Sequence, residues 1–287
     1  MKNDFFIENL KQSTGTRIFL FLIILLIGSL IGVAVAALFM FSGDNGLRIA
    51  QGISSIMMFV VPPIVYYYIT REINPLKDLG LRKMKQPWLF LLIGVVLMFV
   101  AMPVTGQLTQ WNEAMNLGPY LPKLEAYLKK MEEATQSSIE QMINTDKFGV
   151  LLLNLFIIAL IPAVGEELTF RGVLQQSLTR RMNPHLAIIL SAAIFSFIHF
   201  QFYGFLPRMF LGILLGYMFY ISGSLWTSIL MHFVNNGTVV VLYYLNNKGI
   251  INVDVEHFGE DWSIGVFVAS VVVTFGLIAW SWKKAKR

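Results

Sequence analysis

The sequence predicts an all-α polytopic membrane protein of about eight transmembrane helices, with a polar cavity in its C-terminal half. Three observations predict it: 56% hydrophobic residues with a mean hydropathy of +0.64, only 14% charged residues, and a series of long apolar runs separated by polar breaks. A water-soluble globule carries about 25% charged residues, so that class is excluded. Disorder is excluded as well, because 23 Phe, 14 Met and 6 Trp are the opposite of the composition that keeps a chain unfolded. Without cysteine there is no disulfide scaffold, thiolate metal site, thiol nucleophile or S-acyl anchor. A net charge of +5 argues weakly for nucleic acid when the charges flank membrane spans, and no nucleic-acid partner is expected.

A bilayer core of about 30 Å takes roughly 20 apolar residues in a helix. Eight runs approach that length: Ile18 to Phe41, Ile49 to Ile69 with Pro62 and Pro63 inside, Trp88 to Val104, a fourth from Phe148, Leu186 to Tyr203, Phe205 to Ile221, Leu225 to Leu245, and Ser263 to Trp282. The first is too long for a signal-peptide core and no Ala-x-Ala site follows it, so it reads as a retained helix. With both termini cytoplasmic, the inner side holds fourteen Lys and Arg against four acids, and the outer side seven against eleven. Lys2, Lys11, Arg71, Lys286 and Arg287 are among the inner cations. The partners are therefore the lipid bilayer and whatever the polar cavity binds.

The outer segment 105–147 contains an amphipathic stretch with Leu121, Leu124, Leu128, Met131 and Ile139 on one face. It is read as a solvated connector in preference to a membrane-surface helix or a lid. The chain divides into residues 1–147, a three-helix region plus this loop; 148–245, the core; and 246–287, an outer loop and last helix. No repeat or low-complexity tract appears.

The informative region begins at Ala163. Ala-Val-Gly-Glu-Glu-Leu-Thr-Phe-Arg-Gly places Glu166, Glu167 and Arg171 in an apolar helix, where each charge costs several kcal/mol to bury. Glu167 and Arg171 are four apart and share a face. Glu166 is rotated about 100° away, which leaves it the freer base. The polar turn Arg180 to Pro184 implies one helix from Phe148 to about Arg181, kinked near Pro162. Glu166 lies 17 residues before Asn183 and His199 lies 16 after it, so the two side chains are level, and Phe195 can pack beside His199. His232 and Asn236 share a face beside Asn235. His232 is only about 12 Å from the Ser222-Gly223-Ser224 turn, so that turn must be sunk in the protein. Gly212, Gly216 and Gly223 are expected to admit close backbone approach. Glu166, His199 and His232 are expected to converge on one cavity, open to the cytoplasm. His185 and His257 receive no role.

Glu166-Glu167-x-x-x-Arg171, Phe195-x-x-x-His199 and His232-x-x-x-Asn236, in that order on successive membrane helices, resemble the CPBP family, also called Abi, the CAAX protease and bacteriocin-processing proteins. The resemblance covers about Phe148 to Tyr244. It implies an intramembrane endopeptidase of the glutamate type, acting on a CAAX-type, leader or membrane-associated peptide or protein that is lipidated in some members. It further implies Glu166 as general base on water, His199 as its partner, His232 and Asn236 as oxyanion donors, and Glu167, Arg171 and Phe195 in support. No cofactor is implied. Two alternatives stand beside it: a zinc protease, since two His and two Glu are a possible ligand set although the spacing is not His-Glu-x-x-His, and a non-catalytic immunity or scaffold protein.

Overall fold

The computed structural model describes residues 14–70, 75–115, 117–255, 258–259 and 262–285. Lys2, Lys11, Arg71, His257, Lys286 and Arg287 lie outside them. Among the described residues the regular structure is helical: α1 (Thr14–Ala37), α2 (Gly46–Ile69), α3 (Pro87–Val100), α4 (Met102–Glu113), α5 (Pro122–Ile143), α6 (Phe148–Thr179), α7 (Pro184–Phe197), α8 (Phe205–Ser222), α9 (Leu225–Asn247) and α10 (Ile264–Ala285). Six are long and apolar enough to cross a membrane, and α3 with α4, bent by 43°, makes a seventh. α7 is a shorter apolar helix of 14 residues. The eight apolar runs thus all become helices, although the fifth ends at Phe197, well before Tyr203. Phe200, in the left-handed region at φ 54°, stops it.

The burial pattern is that of a protein in lipid. α1 presents Phe19, Leu26, Leu30 and Val33 outward, and α10 presents Val268, Val272 and Phe275. Inside, one apolar cluster joins Phe90, Leu97, Leu214, Met218 and Met231 from α3, α8 and α9. A second joins Phe59, Phe170, Leu174 and Phe195 from α2, α6 and α7.

Prolines shape the two helices that bear on the site. Pro62 in α2 and Pro162 in α6 each follow a wide π-helical stretch, Ile56–Val60 and Leu155–Leu160. A proline ring clashes with the carbonyl four residues back, and a widened turn relieves the clash without breaking the helix. Pro63 has no N–H for the carbonyl of Phe59, and the hydroxyl of Thr169 donates to that oxygen instead, at 2.9 Å. The same proline that frees a carbonyl thereby fastens α2 to α6.

The Ser222 to Ser224 turn is sunk, as the position of His232 requires. Ser224 is fully buried, its hydroxyl donates to the Arg82 carbonyl at 2.6 Å, and the Leu225 N–H donates to the Gly80 carbonyl at 2.8 Å. Gly223 serves by conformation rather than by close approach: it sits at φ 69° after α8, with nothing near where a Cβ would be.

The connector reading of segment 105–147 is corrected. α5 packs against α2, α6 and α9, and its Ile139 and Ile143 line the central cavity. Its packed face includes Leu128, Met131 and Ile139, whereas Leu121 and Leu124 are exposed. Arg48 of α2 fixes the end of this helix. Its Nε donates to Asn154 Oδ1 at 2.9 Å, its Nη2 donates to the Met142 carbonyl, and Asn154 Nδ2 donates to that same carbonyl at 2.9 Å. Asn154→Ala is expected to lower stability by about 1–3 kcal/mol, because it leaves buried donors unmatched. A thermal unfolding midpoint in detergent equal to that of the parent protein contradicts this account.

Candidate active site

The core of the site is a buried ionic chain. Arg171 Nη1 and Glu167 Oε1 are 2.6 Å apart, with both side chains essentially fully buried. Arg171 Nη2 donates to the Gly212 carbonyl of α8 at 2.9 Å, and His232 Nδ1 lies 3.0 Å from the same Glu167 oxygen. One carboxylate on α6 therefore binds α8 through arginine and α9 through histidine. A turn further along, Gln175 Nε2 donates to the Gly216 carbonyl at 3.0 Å, a second rung four residues on in both helices. Gly216 is needed here, because a Cβ would fall 2.7 Å from the Gln175 amide oxygen.

Glu166 makes neither bond. Its Oε2 lies 3.7 Å from His232 Nε2 and 4.0 Å from His199 Nε2, close enough to share one water with each but too far for direct hydrogen bonds. The side chain is largely buried yet lines the cavity. The two neighbouring acids thus differ in their bonding, and the equal offsets from Asn183 do bring Glu166 and His199 together.

The ring tautomers follow from their partners. His199 Nδ1 is 2.8 Å from the Phe195 carbonyl, which only accepts, so Nδ1 carries the proton and Nε2 presents a lone pair toward Glu166. Phe195 packs edge-on against His199 at 5.0 Å and against His232 at 6.0 Å, and the Arg171 guanidinium lies 4.8 Å from its ring centroid. His199 itself sits in the turn after α7 rather than within the helix. Asn235 Nδ2 donates to Asn236 Oδ1 at 3.1 Å, so the Asn236 amide N–H groups have no partner among the described residues, and Asn236 lines the cavity.

The cavity measures about 390 Å³, within the range of ligand sites, and Met98, Leu211, Leu215 and Val239 supply apolar walls. Its lining runs from Glu166 and His232 to Gly204 and Pro207 at the start of α8 and to Ile139 and Ile143 of α5. All of these lie toward the α5 end of the bundle, away from the Arg180 to Asn183 turn. The lining therefore belongs to the half of the bundle away from the turn that the charge pattern assigns to the cytoplasm.

Two contributors were missed from the sequence. Gly165 precedes the acidic pair, and a Cβ there would meet Phe59 Cβ and Val60 Cγ2 at 2.9 Å, so glycine lets α2 lie directly against the acid-bearing helix. Gln175 forms the second rung; its fourfold spacing from Arg171 was the available signal. His185 is structural: its Nδ1 is 2.8 Å from the Tyr217 hydroxyl and its ring stacks on Trp282. Among the described residues no group of three His, Asp or Glu is arranged to hold a metal ion.

The two glutamates should therefore differ in stability effects. Glu167→Gln strands a buried guanidinium and is expected to cost about 3–5 kcal/mol, whereas Glu166→Gln breaks no hydrogen bond and should cost under about 1 kcal/mol. Equal unfolding midpoints for the two variants contradict this. Gly165→Val is expected to cost about 1–3 kcal/mol through overpacking against Phe59 and Val60, read in the same assay.

No curated protein and no solved structure matches the chain. A family model matches the segment from the start of α6 to Thr238, which includes both acids, Arg171, both site histidines and Asn236. Residues 148–238 match the type II CAAX prenyl endopeptidase Rce1-like family, a protease family, and this agrees with the CPBP family to which the three motifs point.

Proposed function

We propose that the protein is an intramembrane endopeptidase in which Glu166 activates the attacking water. The observation that carries this reading is the pair of distances from Glu166 to His199 Nε2 and His232 Nε2, 4.0 and 3.7 Å, which let a single water lying beside them in the cavity reach the carboxylate and a ring nitrogen together. Glu166 takes the proton as that water adds to the scissile carbonyl, and the lone pair of His199 Nε2 accepts the other water hydrogen. The unpaired amide N–H groups of Asn236 donate to the oxyanion that forms. His232 has a different role from a neutral oxyanion donor. With its Nδ1 proton directed at Glu167, its Nε2 carries none until it receives one, and Glu166 is the nearest source. Once protonated there, His232 donates to the oxyanion or passes the proton to the leaving amine. Glu167 and Arg171 hold this ring in position and do not touch substrate.

The substrate is a peptide or protein met in the membrane, CAAX-type in the sense of the matched family. Residues 148–245 form the catalytic core in this reading. Both termini lie in the cytoplasm, following the charge asymmetry, so the substrate enters from the outer end of the cavity, past α5.

Glu166→Gln is expected to lower cleavage of a susceptible peptide about 100-fold or more in a protein that unfolds at the parent midpoint. Full cleavage by the variant defeats the reading. Loss of activity on exhaustive chelation, with restoration by stoichiometric zinc, replaces it with a metalloprotease. Orientation is tested separately. Because the chain lacks cysteine, single cysteines at Lys83 and Lys130 report without background, and an impermeant reagent applied to intact cells should label only the one at Lys130. The reverse pattern overturns the topology while leaving the chemistry untouched.

A further inference from the structure

Arg208 is a cation that the proposed chemistry does not use. It lies in the first turn of α8 and lines the same cavity as Glu166, His199 and His232. Its Nη2 donates to Gln201 Oε1 at 2.8 Å, but its Nη1 is shielded from solvent and has no hydrogen-bond partner among the described residues. The nearest acid in this chain of contacts is Glu132 of α5, which reaches Gln201 Nε2 at 3.1 Å and makes no direct ion pair with the arginine. Gln201 thus stands between two charges, one of which faces the cavity. A buried donor on a charged group without a partner is costly, so its persistence calls for a function.

The surroundings are built to keep that guanidinium in place. A Cβ at Gly204 would fall 2.8 Å from Arg208 Nη2, so glycine there lets the guanidinium lie against the loop as it does. Asn112 of α4, almost fully buried, fixes the loop that carries these residues: its Nδ2 donates to the Phe202 carbonyl at 2.9 Å and its Oδ1 accepts from the Leu206 N–H at 2.7 Å. The position also suits a peptide. Gly212, which accepts from Arg171, marks the level of the Glu167 pair on α8. Arg208 is one turn further out, about 6 Å along the axis. Two residues of extended chain span about that distance.

We propose that Arg208, oriented by Gln201, is the subsite that receives a carboxylate of the peptide substrate about two residues from the scissile bond. This rests on the endopeptidase reading of the same cavity. A carboxylate offers the planar pair of acceptors that a guanidinium matches with two parallel N–H donors, and in an apolar cavity that pair is both strong and selective. The carboxylate comes either from a free C-terminus or from an Asp or Glu side chain at that distance.

The test is equilibrium binding, so that it does not depend on turnover. Full-length Glu166→Gln protein in nanodiscs of zwitterionic lipid is titrated against three dye-labelled apolar heptapeptides, read by fluorescence anisotropy. One ends in a free carboxylate, one is its C-terminal amide, and one is the amide with Glu as the penultimate residue. At least one carboxylate peptide should bind about tenfold or more tightly than the plain amide, and which one does so identifies the source. Adding Arg208→Gln should abolish that advantage and leave the plain amide unchanged, while Arg208→Lys should restore part of it. Equal binding of all three peptides overturns the proposal. So does an Arg208→Gln variant that weakens all three alike, which means the arginine only holds α5 through Gln201 and Glu132. Equal peptide binding with Arg208-dependent retention of phosphatidylglycerol overturns it in favour of a lipid headgroup. Cleavage of the peptides by the Glu166→Gln protein defeats the general-base reading instead, and the comparison of acid with amide still reads the subsite.

Discussion

The buried carboxylate of Glu167 is the constraint on which the rest of the site depends. A single charge in this interior costs more than the fold can bear, so Glu167 must be matched, and its matches lie on different helices: Arg171 on its own helix, and through it the Gly212 carbonyl of α8, and His232 on α9. The network leaves little freedom for how α6, α8 and α9 sit relative to one another. Glu166, the preceding residue, is then presented from a fixed frame into the cavity that also takes His199 and His232. Two adjacent glutamates thereby acquire opposite characters, one paired through its Oε1 with an arginine and a histidine, the other without a direct hydrogen bond and facing a cavity.

The helix that bears them is itself unusual. Its α-helical segment Ile161–Glu167 is flanked by π-helical stretches, the second of which, Leu168–Gln175, is buried on every side. Widened turns rotate the following residues relative to an ideal α-helix, yet the bond from Arg171 to Glu167 survives at 2.6 Å. Proline at 162, glycine at 165 and the hydroxyl of Thr169 on the Phe59 carbonyl all act on this one stretch. They bring α2 against α6 and hold the acid-bearing turn from behind, while the turn after α7 supplies His199 and α9 supplies His232.

At the end away from the Arg180 to Asn183 turn, α5 lines the cavity with apolar side chains and is fixed by polar ones. Arg48 and Asn154 hold its C-terminal end through the Met142 carbonyl. Gln201 and Glu132 join its middle to the rim that carries Arg208. A helix that reads as a solvated connector is in this way a wall of the site, and the residues that connect it to the bundle also reach the cavity.

The helical membrane class, its apolar runs and the identity of the polar cluster were legible in the sequence, because a bilayer imposes length and apolarity on each span and makes every buried charge conspicuous. Fourfold spacing marked the Glu167 to Arg171 pair and the Phe195 to His199 pair, since neighbours on one helix are fixed by helical geometry alone. Equal distances from a polar turn were enough to set Glu166 level with His199. What the sequence could not fix was everything that depends on rotation and tilt between helices. That includes which ring nitrogen of His232 faces Glu167, the end of the bundle at which the cavity lies, the folding of α5 over it, and the pairing of Gln175 with the Gly216 carbonyl. Gly165 is silent as a letter, because what it permits is the approach of another element. Such approaches are decided by close packing between segments far apart in the chain, and only the tertiary structure determines them.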